Sequence, residues 1–239
     1  MPLSNIIDTI QHADCYEVLR GLGDKSVDLV LTDPPYGIGA ARELPHNGWR
    51  DWGIKDWDLQ RVNADAFSEI RRVSKHQIVW GGNYYADVLP PSSCWLVWDK
   101  GQRDFSLADG ELAWCSFSKA LRIFSYSRAA ALQEGKSHPT QKPVPLFTWC
   151  LSLFAKPGWV VLDPFSGSGT TALACHALGM HFICVERDLE YVNISRNRLR
   201  DAQAQMSLFE VRENRTGGGS ENSAQQAKPE MAEEKLSFL

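Results

Sequence analysis

Two short runs of this chain combine residue types that can do chemistry. Asp33-Pro34-Pro35-Tyr36 joins a carboxylate, two prolines that fix a turn, and an aromatic ring able to stack on a flat ligand. Asp163-Pro164-Phe165-Ser166-Gly167-Ser168-Gly169-Thr170-Thr171 is a glycine loop in which Gly167 and Gly169 allow a tight turn and close backbone approach to a ligand. No Gly-Lys-Ser/Thr follows, which excludes a Walker A phosphate loop, and no third glycine completes a dinucleotide fingerprint. Glu186 stands 23 residues beyond Asp163, where a carboxylate can accept both hydroxyls of a ribose. Taken singly, each feature has a plainer reading. Asp-Pro-Pro-Tyr is a turn, and Glu186 is a surface carboxylate at a strand end.

The elements around these runs give them their place. A β-branched apolar strand at 27–32 precedes the first run, and another at 159–162 precedes the second. Ligands of open α/β sheets sit at the carboxyl ends of strands, so both runs fall where ligands bind. Elsewhere the pattern predicts a strand end at 8–14 leading into a helix at 15–22, a helix at 63–74, and strands at 77–80 and 95–98. Residues 111–117 and 121–127 alternate like an antiparallel pair. Helices are expected at 143–154, 170–178 and 189–205, with a strand at 181–185. Alternation of this kind means a largely parallel sheet with crossover helices. Beyond residue 209 the chain turns Gly-, Ser-, Asn- and Gln-rich, the composition of a flexible tail.

With 239 residues the chain can build one sizeable α/β core with a small insert. No apolar stretch approaches the length of a membrane span, and the N-terminus has no signal-peptide pattern. Cys15, Cys94, Cys115, Cys150, Cys175 and Cys184 are scattered, without zinc or redox spacing, and fit a reducing cytoplasm. The formal net charge of −4 does not advertise nucleic acid, but a footprint can be local. Between Phe117 and Lys142 the residues Lys119, Arg122, Arg128, Lys136 and Lys142 face only Glu134, a local charge of +4. That run is either a solvated basic face or a DNA contact.

The two runs together resemble the catalytic and cofactor motifs of the amino-DNA methyltransferases, enzymes that methylate the exocyclic nitrogen of adenine or cytosine with S-adenosyl-L-methionine. A third segment, His138-Pro139-Thr140-Gln141-Lys142-Pro143, is similar to one that precedes the cofactor loop in a subgroup of that family. The resemblance spans most of residues 8–200. It implies a Rossmann-like fold with a mostly parallel, seven-stranded sheet and helices on both faces. It implies a methyltransferase domain over 1–210, with a catalytic half at 1–100, a target-recognition insert at 101–137 and a cofactor half at 138–210, followed by a tail at 211–239. The catalytic motif precedes the cofactor loop, as in the β-type order of the family. By the same resemblance, Asp163, Pro164, Phe165, Gly167, Ser168, Gly169 and Thr170 line the cofactor. Asp14 and Cys15 lie beside its adenine, Glu186 and Arg187 by its ribose, and Asp33 borders it. His138, Thr140 and Lys142 would receive its methionine carboxylate at a helix N-terminus.

The resemblance also implies a mechanism that suits the residues. An exocyclic amine is a poor nucleophile because its lone pair is delocalised into the ring. Asp33 and the carbonyl of Pro34 can each accept an N–H from it, Pro35 stiffens the turn, and Tyr36 can stack on a base rotated out of the duplex. No Pro-Cys pair exists to support covalent catalysis, so the expected reaction is direct in-line transfer. Double-stranded DNA is the implied partner, touched by Lys119, Arg122, Arg128 and Lys136. A second flank, 37–58, carries Trp49, Trp52 and Trp57, which read equally as a flap or as core.

Asp in the first motif favours adenine N6 within the family, with cytosine N4 the alternative. RNA or protein amide methylation and a non-catalytic DNA-binding role are the more distant ones. β-type relatives often form homodimers. Finally, Gln205-Met206-Ser207-Leu208-Phe209 resembles the extended peptide by which bacterial proteins bind the sliding clamp; the alternative is that Leu208 and Phe209 cap the core.

Overall fold

Apolar strands and amphipathic helices of residues 1–203 assemble around one sheet, and residues 204–239 form a second unit. The computed structural model describes residues 2–39, 58–103, 108–133 and 141–216, with 206–216 as helical backbone only. The strands are β1 (Thr9–His12), β2 (Val27–Thr32), β3 (Ser74–Trp80), β4 (Trp95–Asp99), β5 (Gly110–Cys115), β6 (Arg122–Ser125), β7 (Val160–Asp163) and β8 (His181–Glu186). The helices are α1 (Cys15–Gly21), α2 (Ala64–Val73), α3 (Arg128–Gln133), α4 (Val144–Phe154), α5 (Thr170–Ala177) and α6 (Leu189–Thr216).

The sheet order is β1-β8-β7-β2-β3-β5-β4-β6. Every neighbouring pair is parallel except those made by β5, which runs antiparallel to both β3 and β4. Alternate strand residues feed two cores. Leu29 and Leu31 of β2, Ile78 and Trp80 of β3, and Phe182 and Cys184 of β8 pack with α4, α5 and α6 on one face. Val30, Val79, Ile183 and Val185 pack with α1 and α2 on the other. A sheet covered on both faces is the Rossmann-like arrangement. Local chemistry sets the helix starts: Asp14 caps α1 by accepting from the Tyr16 N–H at 2.8 Å, and Asn63 caps α2 through Ala66 at 3.2 Å. Pro143 precedes α4, whose first turn also tolerates Pro145.

Four expectations need correction. The sheet has eight strands rather than seven, because β6 adds to the free edge of β4, where Phe124 packs on Trp149 at 5.1 Å between ring centres. The segments read as an antiparallel pair do run in opposite directions, but they are not neighbours. β4 occupies the slot beside β5, so β6 pairs with β4 in parallel. The expected insert at 101–137 accordingly contains two strands of the central sheet. The last helix does not stop at 205; its backbone continues to Thr216, so residues 205–209 are helical rather than extended. The side chains of Met206, Ser207, Leu208 and Phe209 lie outside the described residues, as do Trp49, Trp52 and Trp57. No helix among the described residues is long and apolar enough to cross a membrane.

Candidate active site

A cleft of about 1000 Å³ opens at the carboxyl ends of β1, β8, β7 and β2. Both chemical runs reach it. Asp33 and Pro35 follow β2, while Asp163, Pro164, Phe165, Ser166, Gly167, Ser168 and Thr170 follow β7. Asp14 and Cys15 come from the start of α1, Glu186 and Arg187 from the end of β8, and Gln141 and Lys142 from the segment before α4. Pro34, Tyr36 and Gly169 are not on the cleft wall. His138, Thr140 and Lys136 lie outside the described residues.

The glycine loop is braced from beneath. Asp163 is buried and accepts from Thr32 at 2.7 Å, from Thr171, and from the Phe165 N–H at 3.1 Å. Its carboxylate therefore ties β2, β7 and α5 together. Gly169 begins α5 with φ +83°, and a Cβ there would meet the Ser195 Oγ at 2.1 Å, so this glycine serves the packing of α6. Gly167 does face the cleft, and its N–H donates to Glu186 at 3.0 Å. The second oxygen of Glu186 accepts from the Asp188 N–H at 2.7 Å. Burial raises the Glu186 pKa against these two bonds. Each oxygen keeps a lone pair for a ligand hydroxyl. Ser166 Oγ is buried on the cleft wall and has no hydrogen-bond partner among the described residues, a polar atom left for a ligand to satisfy. Cys15, pushed up to about 12 by burial and by Asp14, is a neutral thiol.

Asp163 itself makes a pH prediction. Burial raises its pKa to about 6, so the folded protein holds this proton more tightly than the unfolded chain does. The sign follows: its contribution to stability is full below the unfolded value and is lost as pH rises through about 6. Asp163→Asn is neutral and nearly isosteric. The variant should gain thermal midpoint relative to the parent as pH rises from 4 to 7, read by scanning calorimetry at each pH. A constant difference across that range would refute the assignment.

Around Asp33 the packing is denser and more charged. Its carboxylate accepts from Lys142 Nζ at 2.6 Å and from the Tyr36 hydroxyl. Tyr36 stacks on Tyr84 with ring centres 4.7 Å apart. It lies directly over Gly81, which has φ +67° and no room for a side chain. Tyr85 donates to the carbonyl of Pro35 and pins the turn from the other side. Asp58 accepts from the Gly37 N–H at 2.9 Å and closes the segment beyond.

Lys142, expected beside a ligand carboxylate, has protein carboxylates around it: its ammonium is 6% exposed and lies between Asp33 and Glu111, the latter at 2.9 Å. Glu111 opens β5, and its other oxygen pairs with Lys100 at 2.7 Å. Burial raises the Asp33 pKa, Lys142 opposes that rise and Glu111 adds to it. Burial works the same way on Glu111, but the two lysines overcome it and hold that carboxyl at about 2. Both carboxylates lift Lys142 against its own burial.

The basic run is split by the sheet. β5 descends from the cleft end and β6 ascends to it, so Lys119 and Arg122 lie at the opposite, amino-terminal end. Lys119 is exposed and sits over Phe154, 5.2 Å from its ring centre. Arg128 is back at the carboxyl end, its N–H donating to the Lys100 carbonyl at 3.3 Å. Glu111, Lys100, Gly81 and Tyr84 escaped the reading of the sequence. The Gly81-Gly82 pair directly after β3 was a usable signal for a close approach; Glu111 sits in an ordinary strand and gave none.

Comparison with known proteins accords with this geometry. Residues 82–197 match a family model described as DNA methylase, N6_N4_Mtase. The chain is 28% identical over 261 aligned positions to the Type II methyltransferase M.HinfI of Haemophilus influenzae, covering 87% of this chain and 73% of that one. It is 26% identical to the DNA adenine methyltransferase YhdJ of Escherichia coli (strain K12), with 92% of each chain covered. Among solved structures, the M1.HpyAVI–SAM complex superposes with a TM-score of 0.55 at 23% identity, over 80% of this chain and 98% of that one. The cytosine-N4-specific PvuII DNA methyltransferase gives 0.53 at 17% identity, over 81% and 90%. The solved structures share the fold.

Proposed function

We propose that this chain, a member of the amino-DNA methyltransferase family, transfers a methyl group from S-adenosyl-L-methionine to the exocyclic N6 of adenine in duplex DNA. One observation carries the reading: a part-buried carboxylate, Asp33, borders a cleft whose far wall is a glycine loop and a ribose-competent glutamate. The unpartnered Ser166 hydroxyl and the free lone pairs of Glu186 suit the polar groups of a nucleoside cofactor. Asp14, Cys15, Phe165, Gly167, Glu186 and Arg187 would hold it. When bound, the cofactor supplies an electrophilic methyl on a sulfonium.

The chain's own groups do the rest. Asp33 accepts one N–H of the target amine, and the Pro34 carbonyl accepts the other, as the family resemblance implies. As the N–C bond forms, the amine loses a proton toward Asp33, and its lone pair is no longer shared with the ring. Tyr36 and Tyr84 provide an aromatic surface beside that carboxylate, which favours a base turned out of its stack. Arg128, at the carboxyl end of the sheet, is a candidate for phosphate contact.

Adenine is favoured because YhdJ, covered along 92% of its length, is named an adenine methyltransferase, and because Asp leads the catalytic motif. Purified protein, isotopically labelled cofactor and unmethylated bacterial DNA, digested to nucleosides and read by mass spectrometry, give the test. Labelled N6-methyladenine is expected. Labelled N4-methylcytosine would overturn the choice of base, and an absence of label in any base would overturn DNA as substrate.

A further inference from the structure

The most unusual feature among the described residues is a part-buried alternation of four charges, Lys100–Glu111–Lys142–Asp33, which reaches the cleft at its Lys142 and Asp33 end. It runs from the end of β4 across the start of β5 to the catalytic turn. The spacings are 2.7, 2.9 and 2.6 Å, and Lys142 at the centre is 6% exposed. Charges are withdrawn from water at high cost, and four apolar side chains would pack this region without that cost. Removing either inner member leaves a buried charge with one partner fewer. The arrangement is therefore expensive unless the charge state of its terminal carboxylate matters.

We propose that Lys142 and Glu111 are positioning residues of the methyl-transfer reaction: Lys142 holds Asp33 as an oriented, ionised hydrogen-bond acceptor, and Glu111 holds Lys142 in place and limits its pull. The proposal rests on the reading of Asp33 as the acceptor of the target amine. Asp33 has two oxygens. One takes the Lys142 ammonium and the other the Tyr36 hydroxyl, which occupies the side toward the aromatic surface. With Lys142 fixed, the remaining lone pairs point in a set direction, which a freely rotating carboxylate would lack. Without Glu111 the ammonium would bind Asp33 alone and weaken it as an acceptor. Glu111 shares the charge, and Lys100 in turn neutralises Glu111, leaving the quartet neutral overall. The charged and titratable groups that face Asp33 are Lys142 before α4, Glu111 on β5, Asp163 on β7, Tyr85 after β3, and Tyr36 on its own turn.

The quartet predicts opposite responses to two neutral substitutions. In the full-length protein carrying ¹³C-carboxyl aspartate, with Asp33→Asn used to identify the resonance, the Asp33 titration midpoint is followed by NMR. Lys142→Gln should move it up by about one to three pH units, as loss of a close opposite charge does. Glu111→Gln should move it down, by about one unit. Lys100→Gln, at the far end of the alternation from Asp33, should move it up by less, and it supplies the answer if an inner variant does not fold. Cofactor affinity, measured by calorimetry, should be unchanged in all three. A midpoint that stays put, or one that rises in Glu111→Gln, overturns the proposal. So does loss of cofactor affinity in Lys142→Gln with the Asp33 midpoint unmoved, since Lys142 then belongs to the cofactor. Methyl transfer by Asp33→Asn is measured in parallel. Transfer at the parent rate would refute Asp33 as acceptor, and the titration would still decide the relay.

Discussion

Asp33→Asn lowers methyl transfer by on the order of 10²- to 10⁴-fold and leaves cofactor affinity unchanged. Asparagine fills the same volume, so the cleft wall formed by Asp33 and Pro35 keeps its shape. What is lost is the acceptor that draws a proton from the amine as the new bond forms. The amide also turns a donor toward either Lys142 or Tyr36, both of which donate to Asp33. The stability cost is smaller than the ~3–5 kcal/mol of breaking a buried pair outright, because Glu111 remains 2.9 Å from the ammonium. Single-turnover transfer with labelled cofactor, beside calorimetric titration of the cofactor, reads both quantities. A variant that transfers at the parent rate would remove Asp33 from the reaction.

Gly81→Ala produces the second large effect, and it acts on the reacting turn only through the position of Tyr36. A Cβ at Gly81 would stand 2.0 Å from Cε1 of Tyr36. The glycine also has φ +67°, which costs an L side chain about 1–2 kcal/mol. The ring must leave, and with it go the stack on Tyr84 and the hydrogen bond to Asp33. A displacement of about 1 Å at a reacting group costs about 100-fold in rate. Cofactor affinity stays, because Gly167 and Glu186 belong to other strands. Gly179→Ala is the matching control: φ is +63°, and nothing lies within 4 Å of its added Cβ. The control should lose thermal stability and keep its rate. Equal rate losses in the two variants would mean that backbone strain, not the position of Tyr36, is responsible.

Both chemical runs were legible because each is local. Asp33 and Asp163 follow apolar β-branched strands, and a strand end followed by Pro-Pro or by a glycine loop has few other structural uses. The Asp14 cap of α1 and the Asn63 cap of α2 were likewise within reach of a few neighbouring residues. Strand order was not. The reversal of β5 and the insertion of β4 beside it depend on which edges remain unpaired once the parallel strands are laid down. Lys142 shows the same limit at a single side chain. Its position beside a helix start made a ligand carboxylate the natural partner, whereas its ammonium binds an aspartate 109 residues earlier and a glutamate on the reversed strand. A part-buried charge quartet made from four separate segments has no period and no motif. It exists only once the chain has folded.

The one reversed strand also divides the surface for practical use. Because β5 begins at the reactive edge and ends at the other, the connection at 116–121 emerges on the side of the sheet away from the cleft, with Ser118, Lys119, Ala120 and Leu121 exposed. A fluorophore, an affinity handle or a surface tether fixed there would leave the approach to Asp33 open. The β4–β5 connection leaves β4 at Asp99 and enters β5 at Gly110, at the carboxyl end of the sheet, so an attachment there would stand on the cleft side.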